Sequence, residues 1–357
     1  MKKIASAVLA CTMAASLAGC TITSPETVGS IGDTTFSAGS YLLAQYSAVN
    51  QLMDLVDDSS ATVKQALKTD VTTDEGETMP GSEFVAQKTL ENLEYSAGLD
   101  AALTARSIQL TDDQLSQIDS LTQQTMQNYG DLYAENGIGE KTVREAYRRN
   151  LAYTTLFSAV YGDDGEQPIS DSDKTAWLNE NAVAGDVLVL PLTNTDDSTH
   201  EVSDADKDAV RALAQETADK LSAGAALDDV AADTLSAAFG LVGMEFDAEA
   251  DLSANKNSLV VMPDEMSYYG ETFRTAVSEL ANGKAAAFEQ GSSMWVFLRR
   301  PASEVKTLSE LAASYDLPRL IKSEDFTNQL IAAGAAMENH LDQSAMNAYK
   351  AEKVKLS

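Results

Sequence analysis

The chain has 357 residues, 44% of them hydrophobic, which is material for more than one buried core. Its 55 acidic residues outnumber 25 basic ones, leaving a formal charge of −30 and a pI near 4.2. The acids are spread along the whole length, which argues against nucleic acid as a partner; solubility is the plainer use of such a charge, with a weak attraction for basic chains beside it.

Lys2 and Lys3, followed by an apolar stretch from Ile4 to Leu17, have the form of a secretory signal that is too short to remain as a spanning helix. The stretch ends in Leu17-Ala18-Gly19-Cys20, which resembles the lipobox of bacterial lipoproteins, where the thiol receives a diacylglyceryl group. The resemblance implies a signal peptide over residues 1–19, lipidation at Cys20, and a protein held at the outer face of the cell membrane. Two or more acyl chains, at about 0.8 kcal/mol per buried methylene, make such an anchor durable. The chain's other cysteine, Cys11, leaves with the signal, so no thiol remains for a disulfide, a metal or nucleophilic catalysis. Residues 20–27, with Ser24, Pro25 and Glu26, read as a tether reaching about 25 Å at full extension.

The folded part then begins. Val28 to Phe36 reads as a small ribbon turning at Gly32-Asp33, and Ser37 is placed to cap a helix. Ala38, Tyr41, Leu42, Tyr46, Val49, Leu52, Met53 and Val56 recur at three- and four-residue steps, which gives that helix one apolar face. A polar loop over 69–81 leads to a second helix, 82–107, which Gly98 is expected to bend or divide. Thr111-Asp112-Asp113-Gln114 fits a capping box for a third helix through Tyr129. After Gly137-Ile138-Gly139 a fourth helix covers 141–161, with Val143, Tyr147, Leu151, Leu156 and Val160 inward.

Beyond a short helix capped at Ser170 and holding Trp177, the pattern changes. Asp186 to Leu192 is a β-type run ended by proline, and 258–262 and 294–299 are two further strand candidates. Ser203 opens a helix that Gly224 closes, and a second short helix follows over 226–234. From Val305 the patterning is helical again, with Phe326, Leu330, Ile331, Met337, Leu341 and Tyr349 as expected buried positions.

This order, with the segments Val28 to Tyr41, Leu110 to Gln114, Glu135 to Arg144, Pro168 to Asp173 and Ser323 to Leu356, resembles the extracytoplasmic foldases of the PrsA and SurA type. The middle block, with its first strand, the helix around Ala218-Asp219-Lys220-Leu221, a glycine turn at Gly240 and Gly243, the run from Phe273 to Leu280, and a last strand after Gly291, resembles a parvulin-type prolyl isomerase domain. The resemblance implies an α+β protein: a mostly helical chaperone lobe built from both chain ends (28–182 and 304–357) with a small parvulin-like domain inserted at 183–303. It implies unfolded or nascent secreted polypeptides as partners and no cofactor.

One departure bears on activity. Parvulins carry a histidine on the first strand and another on the last; here those strands offer Asp186 and the pair Met294-Trp295, while His200 falls in a polar loop and His340 is read as part of the C-terminal helix. No catalytic residue is assigned, and isomerisation is expected to be weak or lost. Phe273, Tyr268, Tyr269 and Trp295 are the candidates for a prolyl pocket or client surface, with Phe273 equally readable as core. Met53, Met79, Met126 and Met337 would suit a client surface if exposed. Two rival readings are an active prolyl isomerase and a solute-binding or structural envelope lipoprotein. Ser303-Glu304-Val305-Lys306 has the spacing of a serine nucleophile and its base but lacks companion motifs. Asp204, Asp206 and Asp208 alternate like calcium ligands, yet Ala209 and Gln215 stand where a calcium loop needs glycine and glutamate. No metal site is assigned.

Overall fold

A computed structural model describes residues 26–73, 76–197 and 199–356. The signal segment, Cys20 and most of the tether lie outside the described residues, as do Asp74 and Glu75 of the polar loop. The chain divides into two compact units, one taking in Met1–Leu156 together with Asp325–Ser357, the other Phe157–Glu324.

The first unit opens with β1 (Thr27–Ile31) and β2 (Thr34–Ser37), an antiparallel ribbon turning at Gly32, whose φ of 52° is the left-handed value such a turn requires. Ser37 caps α1 (Ala38–Asp54), its hydroxyl accepting the Ser40 N–H at 3.1 Å. The short α2 (Val63–Ala66) leads into a hairpin of β3 (Asp70–Thr72) and β4 (Thr78–Pro80), inside the stretch read as a loop. Helix α3 (Gly81–Ala105) runs through Gly98 without a break. Thr111 and Gln114 form the expected capping box, and α4 (Asp112–Glu135) continues six residues past Tyr129, because Gly130 is accommodated within it. After the turn at Gly137, α5 (Glu140–Tyr161) follows.

The second unit is built on a four-stranded antiparallel sheet. Helix α6 (Asp171–Asn181) is capped by Ser170 and leads directly into β5 (Val183–Pro191), which begins three residues before the apolar run suggested. Helices α7 (Asp204–Ser222), α8 (Leu227–Leu241) and α9 (Ala248–Asn255) separate it from β6 (Lys256–Val261). Of the two glycines read as a turn, Gly240 is helical and Gly243, with φ 74°, makes the turn. A 3₁₀ segment (Pro263–Tyr269) and α10 (Gly270–Ser278) precede the hairpin of β7 (Ala285–Gln290) and β8 (Ser293–Arg299). The strand order is β6-β5-β8-β7.

Side chains alternate across this sheet. Leu188, Leu190, Met294 and Val296 bury one face against Val210, Ala214, Leu221, Leu235 and Phe239 of α7 and α8. On the same side Ala184, Val260 and Met262 pack with Leu178 of α6 and with residues of α11 (Ala302–Val305) and α12 (Leu308–Ser314). The other face carries Val183, Val187, Val261, Phe288 and Phe297 beneath Phe273 and Val277 of α10.

Helix α13 (Leu317–Ala335) and α14 (Gln343–Asn347) complete the chain. The C-terminal residues rejoin the N-terminal ribbon: Gly32 N–H donates to Glu338 O, His340 N–H to Ser30 O, and Asp342 N–H to Val28 O, each at 2.8 Å. His340 therefore lies in an extended stretch laid along β1 rather than in a helix, because α13 has ended at Ala335. This pairing covers the exposed edge of β1. Further along α13, Gly98 and Gly334 let two helices meet backbone to backbone: a Cβ on Gly98 would overlap the Leu330 carbonyl, and one on Gly334 the Glu94 carbonyl. Asn136, buried at the end of α4, donates to Lys355 O at 3.0 Å and accepts from Lys355 N–H at 2.9 Å. The fold is thus α+β, with a helical unit made from both chain ends and a smaller sheet-bearing unit formed by the sequence between those ends.

Candidate functional site

The face of the sheet beneath α10 gathers the sequence candidates. Phe273 and Val277, one helical turn apart, both point down onto the strands and are fully buried. Around Phe273 stand Tyr269 at 4.8 Å between ring centroids, Phe297 at 5.8 Å, Phe288 at 6.0 Å and Trp295 at 6.3 Å, the last three edge-on. Such edge-to-face pairs add about 0.5–1.5 kcal/mol each beyond the area they bury. The arrangement depends on Gly185 in β5, where a Cβ would sit 2.7 Å from Phe297 Cζ. The same Cβ would overlap the Leu298 carbonyl of β8, which is backbone and cannot swing aside.

Phe273 is consequently the centre of an aromatic floor. The residues at its margin are the accessible ones: Tyr269 and Trp295 are half-buried, and Tyr268, at 86% exposure, stands in solvent. Tyr269 is held by Gln290, whose side-chain amide donates to its carbonyl at 2.9 Å. The 3₁₀ segment that presents these tyrosines is braced by Tyr315, whose hydroxyl donates to Glu265 at 3.1 and 3.3 Å. Burial, together with that carboxylate, pushes the Tyr315 phenol up to about 12.

Polar chemistry on this face is sparse. By strand alternation the positions sharing it are Val183, Gly185, Val187 and Val189 of β5, Asn257, Leu259 and Val261 of β6, Ala286, Phe288 and Gln290 of β7, and Ser293, Trp295, Phe297 and Arg299 of β8. None is a histidine, cysteine or carboxylate. Arg299 is the one charge; burial lowers its pKa without discharging it, and its guanidinium donates to Ala182 O at 3.1 Å. Asp186 points to the opposite face, bonded to Ser258 and paired with Arg300 at 2.9 Å. His200 lies against Gly243, in the loop that follows β5, and His340 lies 3.3 Å from Glu338 in the other unit. Neither histidine lies on a strand of this sheet, and the positions sharing this face offer no carboxylate, histidine or thiol for proton transfer. What its margin offers is apolar contact, through the half-buried Trp295 and Tyr269.

Sequence reasoning missed Phe288, Phe297 and Arg299. Phe297 stood two residues from Trp295 within a strand candidate, so period-two spacing was the available signal. Phe288 lies on β7, whose Ala285-Ala286-Ala287 start gives none. The four methionines singled out are all half-buried, with Met53 and Met79 packed against Leu52 and Phe84, and Met337 against the ribbon core. Among the described residues no group of three or more histidines, cysteines or carboxylates is placed to hold a metal, and no helix is long and apolar enough to cross a membrane.

No protein-family model matches the chain, and no curated protein does. Solved structures similar to it include the peptidylprolyl isomerase PrsA of Bacillus anthracis, at 14% identity over 69% of this chain and 98% of that one, with a TM-score of 0.27. The foldase PrsA of Streptococcus pneumoniae is similar at 13% identity over 80% and 99%, with a TM-score of 0.30. PrsA of Bacillus subtilis is similar at 13% identity over 79% and 98%, with a TM-score of 0.26. At these values the likeness carries no weight, and the functional reading rests on the chain's own residues.

Proposed function

We propose that this chain is an extracytoplasmic chaperone of the foldase kind, tethered to the membrane through lipid on Cys20, which shields apolar segments of unfolded secreted proteins and has weak or no prolyl isomerase activity. The observation that carries the reading is the aromatic floor under α10, with Tyr269 and Trp295 half-open at its margin, Tyr268 exposed, and no histidine, cysteine or carboxylate among the strand positions that share its face. Aromatic side chains offer large contact area at little rotamer cost, which suits brief, sequence-tolerant binding. A peptide segment would lay an apolar side chain on Trp295 and Tyr269. Twisting a prolyl bond demands more than contact area, because its barrier of about 18–20 kcal/mol falls only in a pocket that holds the ring and stabilises the twisted nitrogen. Here Phe273 is filled in by its neighbours, which favours holding over isomerising.

The reading is tested by a pair of assays on the full chain. Light scattering of an aggregating unfolded client should be delayed by the protein and less so by Trp295→Ala with Tyr268→Ser, while a proline-containing peptide should isomerise at close to its uncatalysed rate. An absence of any delay, with clients of either charge, overturns the chaperone reading. Acceleration of the peptide that is lost in Phe273→Ala would establish the active isomerase in its place. Lipid attachment is tested separately by fatty-acid labelling, which should vanish in Cys20→Ala.

A further inference from the structure

A second aromatic surface lies in the helical unit, around Met126. Helix α4 presents Met126, Tyr129 and Tyr133 along one stripe at three- and four-residue spacing. Tyr133 is met edge-on by Tyr46 of α1, with ring centroids 6.0 Å apart and planes at 76°. Tyr147 of α5 joins from the other side, its hydroxyl 2.7 Å from that of Thr125, one turn before Tyr129. Three helices thus deliver four tyrosines to one place. Burial, followed by the neighbouring phenols of Tyr46, Tyr147 and Tyr129, pushes the Tyr133 hydroxyl's pKa up, consistent with this crowding. The cluster is open at its centre, where Tyr129 is 54% exposed.

The charges on α4 itself have one sign, and the arginines Arg144, Arg148 and Arg149 of the neighbouring α5 are each engaged by a carboxylate. Helix α4 carries five carboxylates, Asp112, Asp113, Asp119, Asp131 and Glu135, and no lysine or arginine of its own. Arg144 meets Asp119 at 2.6 Å and Lys355 meets Glu135 at 2.9 Å, so the helix remains acidic within a chain of formal charge −30. Tyrosine faces attract cations through the ring quadrupole, and a surrounding negative potential raises their local concentration.

We propose that the tyrosine cluster of α1, α4 and α5 is a docking surface for unfolded segments in which arginine or lysine stands beside apolar residues. The proposal rests on the chaperone reading and adds to it a partner class and a second place of contact. The cation lies over Tyr129, and its apolar neighbours cover Met126 and the edge of Tyr133. Acidic segments of equal hydrophobicity are repelled. The sheet-bearing unit's aromatic floor and this surface then select for different features of one client.

Fluorescence anisotropy of two labelled, unstructured peptides with the full chain tests it, one peptide alternating arginine with leucine and serine, the other with glutamate in place of arginine. The arginine peptide should bind several-fold more tightly, more weakly as salt rises. Tyr129→Ala should loosen it by about two- to five-fold, the range of one exposed cation–ring contact, and Tyr129→Phe, which keeps the ring, should bind as the wild type does. Tyr129 is exposed enough for both variants to fold, which thermal melting checks. Equal binding of the two peptides, or a Tyr129→Ala variant that binds like the wild type, overturns the proposal. If binding survives Tyr129→Ala but is lost in Trp295→Ala, the helical-unit surface falls while the chaperone reading stands; if the wild type binds neither peptide, both fall.

Discussion

Replacing Gly334 by alanine sets two opposed effects against each other. Alanine is favoured over glycine in a helix interior by about 1 kcal/mol. Against that, a Cβ at Gly334 would overlap the Glu94 carbonyl and lie 2.9 Å from Glu94 Cα, and what it meets is backbone, which cannot swing aside. Overpacking of this kind costs about 1–3 kcal/mol, with the upper end expected where the obstacle is rigid. The clash wins by about 1–2 kcal/mol, which in a unit of this size lowers Tm by roughly 3–6 °C. Gly98→Ala meets the Leu330 carbonyl at the same crossing, so the double variant should lose less than the sum, the helices having already parted. Gly130→Ala is the control: within α4 its Cβ would touch only Met126 Cε at 3.6 Å, and it should stabilise by up to about 1 kcal/mol. Calorimetry of the three variants reads the difference directly. A Gly334→Ala protein at or above the wild-type Tm would refute the close crossing and with it the glycine-mediated joining of the chain ends.

Gly185→Ala should part β5 from β8 and disturb the aromatic floor, because its Cβ would overlap the Leu298 carbonyl and stand 2.7 Å from Phe297 Cζ; near-ultraviolet circular dichroism should weaken and stability fall by about 1–3 kcal/mol, whereas an unchanged aromatic signal would count against the packing described. Asn136→Ala should free the C-terminal segment held at Lys355, giving faster amide exchange at Lys355 and a loss of about 1 kcal/mol, and unaltered exchange there would contradict the clamp. Tyr315 ionises at about 12 in the folded chain against 10 ordinarily, so its contribution is complete below pH 10 and disappears as the pH rises through 12. Denaturation curves should therefore steepen in their pH dependence over that window, and Tyr315→Phe should flatten them; identical slopes would contradict the burial of that phenol against Glu265.

Features set by local chemistry were legible in the sequence. Ser37, Thr111, Ser170 and Ser203 each announced a helix start, because a side-chain oxygen three residues ahead of a free amide needs no tertiary partner. The turn at Gly32 and the closing of α7 at Gly224, with φ of 52° and 101°, were readable for the same reason. Features set by non-local contact were not. Strand β7 begins with three alanines and owes its state to pairing with β8 across the Gly291 turn. The β3–β4 hairpin is three residues a side and rich in threonine, too short for alternation to register. Gly98 looked like a bend in one helix and is a contact between two, a distinction that needs the position of residue 330. Phe273 could be read as pocket wall or core until Phe288, Trp295 and Phe297 were in place around it, and those arrive from two strands at the far end of the unit. Tyr268 and Tyr269 were candidates for a pocket or client surface with nothing to tell them apart; their 3₁₀ setting turns Tyr269 inward onto Phe273 and leaves Tyr268 outside.

The chain holds two tryptophans, Trp177 and Trp295, so a Trp177→Phe protein reports on Trp295 alone. Titrating it with a reduced, unfolded client should give a saturable blue shift of emission and protection from acrylamide, as a half-buried indole at the margin of the aromatic floor becomes covered. Suppression of client aggregation with the Trp295 emission unmoved would contradict the assignment of that face as the place where unfolded chains are held.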